Sequence, residues 1–312
     1  MENLGSTDLE IFPLNLGGNV FGFTSDERQS FDVLDAFTEG GGNFVDTADS
    51  YSAWVPGNEG GESEAIIGKW MAQRGNRDEI VIGTKVSAHP DREGLSAENI
   101  TKAAEDSLKR LQTDRIDLYY AHFDDEDTPL EETLLAMDEL VKTGKVRYLA
   151  ASNYSPERIE EALAIQDRLG LSRWVALQPH YNLVERDEFE KGGKQALAKK
   201  ENLAVIPYFS LAKGFLTGKY RSKDEPGDSP RAPAAIEYLD DRGLTVLAAL
   251  DEVAAAHEVE VAAVSIAWLK AQPTVAAPLA SARTAEQLEP LLQGARLELS
   301  EAEIDGLNEA SA

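Results

Sequence analysis

Short β-branched runs alternate with amphipathic stretches along almost the whole chain. Residues 14–17, 43–48, 80–85, 117–122, 148–153, 176–179, 204–208 and 275–279 read as strands. Between them, the spacing of apolar positions predicts helices near 27–39, 62–74, 96–111, 131–143, 156–169, 187–200 and 262–271. Ser96-Ala97-Glu98 and Ser155-Pro156-Glu157 mark two of the starts, each a capping side chain followed by an early carboxylate. A stretch over 244–257 predicts an extra helix, and 300–307 reads as a final one. Eight β/α repeats with no break in composition predict one domain over 1–312, a (β/α)8 TIM barrel with extra C-terminal helices.

Two stretches interrupt this rhythm. Residues 51–61, rich in Gly, Pro and Trp, follow the second run, and residues 212–241 follow the seventh. Both fall after C-terminal strand ends, where barrels carry their site-forming loops. The longer one is polar and is expected to stay mobile until something binds it.

Composition narrows the function. A chain of 312 residues with 42% hydrophobic positions has ample material for a full core. No segment approaches the roughly 18 consecutive apolar residues of a membrane span. The start, Met1-Glu2-Asn3-Leu4-Gly5, lacks the basic and apolar regions of a secretion signal. With no cysteine there is neither a disulfide framework nor thiol chemistry, so a cytoplasmic location is expected. No metal-ligand pattern stands out, and no metal is expected. Lys and Arg total 30 against 56 Asp and Glu, a net charge of −26, which argues against nucleic acid as a partner. Solubility and adaptation to a salty cytoplasm would each account for that charge. Monomer and homo-oligomer are both left open.

Candidate chemistry lies at the ends of successive apolar runs. Asp46 and Tyr51 follow the second, Lys85 closes the third and His122 the fourth. Adjacent parallel strands would bring all four to one rim, where a phenol could give or take a proton beside a carbonyl. A tyrosine of ordinary pKa, about 10, is a poor acid near neutrality. A lysine ammonium within roughly 4–6 Å would lower that value. An aspartate would keep the ammonium charged in spite of burial, and a histidine would orient the substrate oxygen. Taken singly, each residue has a plainer reading: a solvated lysine, a packed histidine, a capping aspartate. The order and the strand context together favour the catalytic one.

In that order the four residues resemble the catalytic tetrad of the aldo-keto reductase superfamily. The likeness runs over essentially the whole chain and is nearest to the branch holding potassium-channel beta subunits and bacterial relatives. It implies Tyr51 as acid, Lys85 and Asp46 as its tuning pair, and His122 beside them. Because no side chain carries hydride chemistry, the reductant must be a cofactor. The resemblance implies NADPH, whose nicotinamide would deliver hydride to an aldehyde or ketone carbon while Tyr51 protonates the oxygen. The reverse oxidation of an alcohol is also implied.

The resemblance also assigns the cofactor site. Gly18 and Asn19, within Leu16-Gly17-Gly18-Asn19-Val20-Phe21-Gly22, match the first strand and loop, and Asp46 lies beside them. Ser152, Asn153 and Gln178 match the residues that hold the nicotinamide amide, and Tyr208 the ring that stacks beneath it. Phe209, Ser210, Leu211, Ala212, Lys213, Gly214 and Lys219 match the pyrophosphate loop, and Arg231 a later clamp. Phe209-Ser210 departs from the commoner Ser-Pro form. Ser281, Arg283 and Gln287 match the adenosine-phosphate segment, and Arg283 favours NADP over NAD through the 2′-phosphate. Thr284 should start a helix there. Pro290-Leu291 stands where the family usually has Glu-Asn. No Gly-x-Gly-x-x-Gly fingerprint points to a Rossmann domain. Phe21, Phe23, Trp54 and Phe123 are expected to wall the substrate pocket, which suits small aldehydes or ketones with apolar substituents. The rival readings are a cofactor-holding regulatory subunit and a barrel isomerase or lyase.

Overall fold

The apolar runs pair side by side, all in one direction. In the computed structural model, which describes residues 1–222 and 231–312, eight strands form a single parallel sheet. These are β1 (Asn15–Gly17), β2 (Phe44–Asp46), β3 (Val81–Val86), β4 (Ile116–Ala121), β5 (Val146–Ser152), β6 (Trp174–Gln178), β7 (Ala204–Val205) and β8 (Leu279–Ala280). Their order is β7-β6-β5-β4-β3-β2-β1-β8. Around β8 the chain bonds to strands at opposite ends of this order: Ala276 N and Leu279 N donate to Val205 O and Pro207 O at the β7 edge, while Asn15 N of β1 donates to Pro278 O. The sheet is therefore curled until its edge strands share one segment.

Alternation along each strand separates two buried faces. Phe44, Val81, Leu118 and Tyr120 pack on one face with Leu4, Leu9 and Ile11 of an N-terminal hairpin. Val45, Ile82 and Tyr119 pack on the other with helix residues such as Val33, Ile67 and Ile100. Burial on both sides explains why these strands read as continuous apolar runs rather than a polar alternation.

Ten helices are named here: α1 (Glu27–Glu39), α2 (Glu62–Arg74), α3 (Ala97–Leu111), α4 (Leu130–Lys142), α5 (Pro156–Leu169), α6 (Lys194–Glu201), α7 (Asp241–His257), α8 (Val261–Lys270), α9 (Ala285–Arg296) and α10 (Glu301–Ala310). Ser96 and Ser155 cap α3 and α5 as expected, accepting from Asn99 N and Arg158 N. The element predicted over 187–200 is instead a turn of helix, Asp187–Glu190, followed by α6. Gly192-Gly193 breaks it, with Gly193 at φ 92°. The extra helix begins earlier than predicted because Asp240 accepts from Gly243 N and caps it. β7 is shorter than the predicted 204–208, because Pro207 has no N–H to give to a ladder.

Residues 223–230, the centre of the long loop predicted to be mobile, lie outside the described residues. Among the described residues no helix is long and apolar enough to cross a membrane.

Candidate active site

Register assembles the polar cluster. Asp46 at the end of β2 faces Gly83 of β3, and Lys85, two residues further along β3, pairs with Tyr120 of β4. A side chain at Gly83 would press on the Tyr120 ring at 3.2 Å and meet Asp46 in ordinary contact at 3.7 Å, so the glycine leaves room for that ring beside the carboxylate. Lys85 Nζ then lies 2.5 Å from Asp46 Oδ2, 2.7 Å from Thr47 O and 3.0 Å from the Tyr51 hydroxyl. Asp46 Oδ1 accepts from Gln178 Nε2 at 2.9 Å. Asp46 and Lys85 are fully buried.

Burial works against the Lys85 charge, but Asp46 and Tyr51 outweigh it and raise its pKa, so the ammonium persists. At Tyr51 the balance differs from the sequence expectation. Burial of the phenol pushes its pKa up, and Lys85 pulls it down by less. The phenol is thus held protonated. His122 is pushed well below its ordinary value, first by burial and then by Lys85, so its imidazole is neutral. Its ring lies 6.1 Å from that of Tyr51 and stacks at 4.6 Å on Phe123.

Tyr51 and His122 open onto a cavity of about 640 Å³. Trp54 and Phe123 also line it, while Phe23 sits edge-on to Trp54 at 5.9 Å outside the lining. Phe21 was expected at the wall but is fully buried in the core, its carbonyl accepting from Ser52 Oγ at 2.8 Å. Its side chain follows the core because Val20-Phe21 closes a tight turn in which Phe21 N donates to Gly18 O.

The expected cofactor residues divide in the same way. Asn19, Ser152, Asn153, Gln178, Tyr208 and Ser281 line the cavity. So do Phe209, Ser210, Leu211, Lys213, Gly214 and Lys219 of the loop after β7. Arg231, Arg283 and Gln287 complete the set. Gly18, Asp46 and Ala212 do not line it, and neither does Lys85 of the catalytic set. A Cβ at Gly18 would meet Ser63 Oγ at 2.7 Å and Asp46 O at 3.0 Å, so this glycine serves close packing of the first loop against β2 and α2. Asp46 and Lys85 stand behind Tyr51. Ala212 is buried at φ 46°, within a loop where Phe209, Lys213 and Gly214 also have positive φ.

Polar side chains fix this wall. Asn153, itself at φ 58°, donates to His122 O at 2.9 Å and accepts from the Tyr208 hydroxyl at 2.9 Å. Ser281 Oγ donates to Asn19 Oδ1 at 2.7 Å, and a Cβ on Gly17 would collide with that serine oxygen at 2.4 Å. Thr284 caps α9 as predicted, and Arg283 N donates to Gln287 Oε1 at 3.1 Å.

Sequence reasoning missed two residues of the Gln-Pro-His-Tyr-Asn motif. His180 stacks on Tyr208, rings 5.3 Å apart and 11° from parallel, and Asn182 Nδ2 holds Phe209 O at 2.9 Å. Their positions two and four beyond Gln178 were the available signal. Pro290 and Leu291, noted as departures, line the cavity along with Glu260 and Glu286.

A second set of buried charges shares the loop after β2. Asp49 N donates to Lys85 O, but neither Asp49 carboxyl oxygen has a hydrogen-bond partner among the described residues. Arg92 Nη2 is 3.8 Å away. Nearby, Glu64 accepts from Thr84 Oγ1 at 2.6 Å and pairs with Arg110 at 2.6 Å, while the buried Tyr119 hydroxyl has no partner among the described residues.

Comparison with known proteins identifies the family of the chain. Residues 13–312 match the model of the Aldo/keto reductase family. The "Uncharacterized oxidoreductase YrpG" of Bacillus subtilis is 34% identical, over 98% of this chain and 94% of that protein. The "Aldo-keto reductase yakc [NADP(+)]" of Schizosaccharomyces pombe is 32% identical, over 92% and 83%. The "Probable voltage-gated potassium channel subunit beta" of Arabidopsis thaliana is also 32% identical, over 92% and 88%. With the family model spanning nearly its full length, this chain belongs to the aldo/keto reductase family.

Proposed function

We propose that the chain is a cytoplasmic NADPH-dependent reductase of aldehyde or ketone carbonyls, built as one closed (β/α)8 barrel. The observation that carries this reading is the Tyr51 hydroxyl, 3.0 Å from a buried ammonium and opening onto the cavity. Fit to the cofactor rests on the cavity itself. In a chain of net charge −26, Lys213, Lys219, Arg231 and Arg283 all converge on it. Such a set suits the phosphates of a dinucleotide, and Arg283 suits the 2′-phosphate. Tyr208, backed by His180, offers a ring face, and Ser152, Asn153 and Gln178 offer amide partners. The relative from Schizosaccharomyces pombe carries NADP(+) in its name, which supports the same choice.

When bound, NADPH supplies the hydride. The residues do the rest. Tyr51 donates its proton to the carbonyl oxygen, and Lys85 stabilises the phenolate left behind. Asp46 keeps Lys85 charged and in place. Neutral His122 orients the carbonyl oxygen. Because its ionisation lies well below the ordinary histidine range, reductive turnover should be flat across about pH 6–8, the window in which a free histidine would titrate.

The deciding experiment follows NADPH oxidation with a panel of aldehydes, ketones and quinones; no turnover of any of them ends the reading. Arg283→Ala should weaken NADPH about ten- to a hundredfold and NADH far less, the worth of one charge-assisted contact. Equal weakening of both cofactors would point to general electrostatics instead.

A further inference from the structure

The hydroxyl of Tyr208 has no part in stacking, yet it is tied down. It donates to Asn153 Oδ1 at 2.9 Å, and Asn153 Nδ2 donates to His122 O at 2.9 Å. One amide side chain therefore joins the ring assigned to the nicotinamide to the histidine assigned to the substrate. Burial pushes the Tyr208 phenol up to about 12, so its hydroxyl remains a donor to Asn153 near neutrality.

Both ends of this bridge are braced. Tyr208 N donates to Pro179 O at 2.9 Å, and the His180 ring lies 5.3 Å from that of Tyr208, 11° from parallel. His122 N donates to Val86 O of β3 at 2.9 Å. The backbone of His122 is thus held by β3 on one side and by Asn153 on the other. Asn153 itself stands at φ 58°, a conformation that few side chains other than asparagine tolerate and that persists only where the surroundings enforce it. Its amide nitrogen donates a second time, to Ser152 Oγ at 3.1 Å, and Ser152 Oγ donates to Gln178 O at 2.8 Å. The Asn153 oxygen keeps one lone pair beside Tyr208 for a cofactor amide.

We propose that Tyr208 is a positioning residue for the substrate as well as a platform for the cofactor ring. Its hydroxyl, acting through Asn153, fixes where His122 stands, so one strut sets the group that orients the carbonyl oxygen relative to the ring face that carries the hydride donor. This rests on the carbonyl-reductase reading above and adds a residue to it. Without the hydroxyl the ring still stacks, because His180 and the backbone bond of Tyr208 remain. His122 keeps its tether to β3, but Asn153 is released at its other end, and small misplacements of reacting groups lower rates steeply.

The test is Tyr208→Phe, which keeps the ring and removes only the hydroxyl. With the fastest aldehyde or ketone of the panel, the single-turnover rate of NADPH oxidation should fall about three- to tenfold, the worth of one neutral hydrogen bond. NADPH affinity, read by fluorescence titration without substrate, should hold within about twofold, because the ring face is unchanged. Asn153→Gly adopts the same φ without strain and removes the strut at its centre. In that background Tyr208→Phe should add no further loss of rate, since the hydroxyl no longer has its partner. An unchanged single-turnover rate in Tyr208→Phe would overturn the proposal. So would a loss of NADPH affinity as large as the loss of rate, which would assign the hydroxyl to cofactor binding. Additive losses in the double variant would overturn it too, because the hydroxyl would then act by another route. If the wild type reduces no aldehyde or ketone of the panel, carbonyl reduction itself fails, and this inference fails with it.

Discussion

Asp46 and Asp49 lie three residues apart on one chain segment, both fully buried, yet their surroundings treat them in opposite ways. Asp46 touches an ammonium at 2.5 Å and an amide at 2.9 Å. Asp49 has only a guanidinium at 3.8 Å, with Glu64 close enough to repel it. Burial pushes both carboxyls up. For Asp46 a directly bonded cation opposes that push without reversing it, whereas Asp49, raised further by Glu64, reaches about 7. Burial sets the direction for both carboxyls, and the contact distance of the partner sets how strongly it is opposed.

The largest effect should come from breaking the tight pair. Lys85→Met leaves Asp46 buried against Gln178 and Tyr51 alone, and should cost about 3–5 kcal/mol of stability, the penalty of one abandoned buried charge. Turnover should fall at least about a hundredfold at the same time. Urea unfolding and steady-state rates measure the two losses. Full activity at neutral pH would remove Lys85 from its role.

Tyr51→Phe touches the same cluster from the cavity side. Turnover should drop about a hundredfold while NADPH affinity, read by fluorescence titration, holds. A variant turning over near the wild-type rate would exclude Tyr51 as the proton donor.

The loose pair predicts the reverse sign. Because the folded pKa of Asp49, about 7, lies above its ordinary 3.8, the stability it contributes is complete below about 4 and is lost as pH rises toward about 7. Asp49→Asn abolishes that loss. The variant should therefore gain on the wild type across this window and exceed it by more than about 1 kcal/mol near pH 8. Unfolding midpoints that keep the same separation at pH 5 and pH 8 would contradict a neutral Asp49.

The smallest change is expected at Tyr119. Its hydroxyl is buried beside Asp49 and Glu64 without a partner among the described residues. Tyr119→Phe should shift stability by less than about 1 kcal/mol, toward greater stability, since no hydrogen bond is lost. A loss of several kcal/mol would reveal an unrecognised bond. Set beside Tyr51→Phe, it separates a phenol that works from one that only fills space.

The same contrast explains what the sequence could tell. Asp46, Lys85 and His122 were legible because each ends an apolar run, so strand order alone carried them to one rim. Asp49, Glu64, Arg92 and Arg110 come from a loop, α2, a hairpin and α3, and each sits among ordinary polar neighbours. Nothing local marks them as meeting in the core. Phe21 failed for a related reason: an aromatic residue in a loop has no periodicity to show whether it turns toward a cavity or away. The 3.6-residue rhythm of 187–200 hid its break, although Gly192-Gly193 was in plain view. The net pKa direction of Tyr51 was also out of reach, because the chain announces a neighbouring lysine but not the depth at which a phenol is packed.

The bond from Gln178 to Asp46 joins β6 to β2, which have three strands between them in the sheet and 132 residues between them in sequence. Contacts of such long range form late in folding, after the local helices and neighbouring strands. A chain that has acquired all its helices but has not brought β6 round to β2 still lacks the second partner of its aspartate. On refolding, recovery of catalytic turnover should therefore lag behind recovery of the helical signal, and enzymatic competence becomes a clock for the last step of the topology.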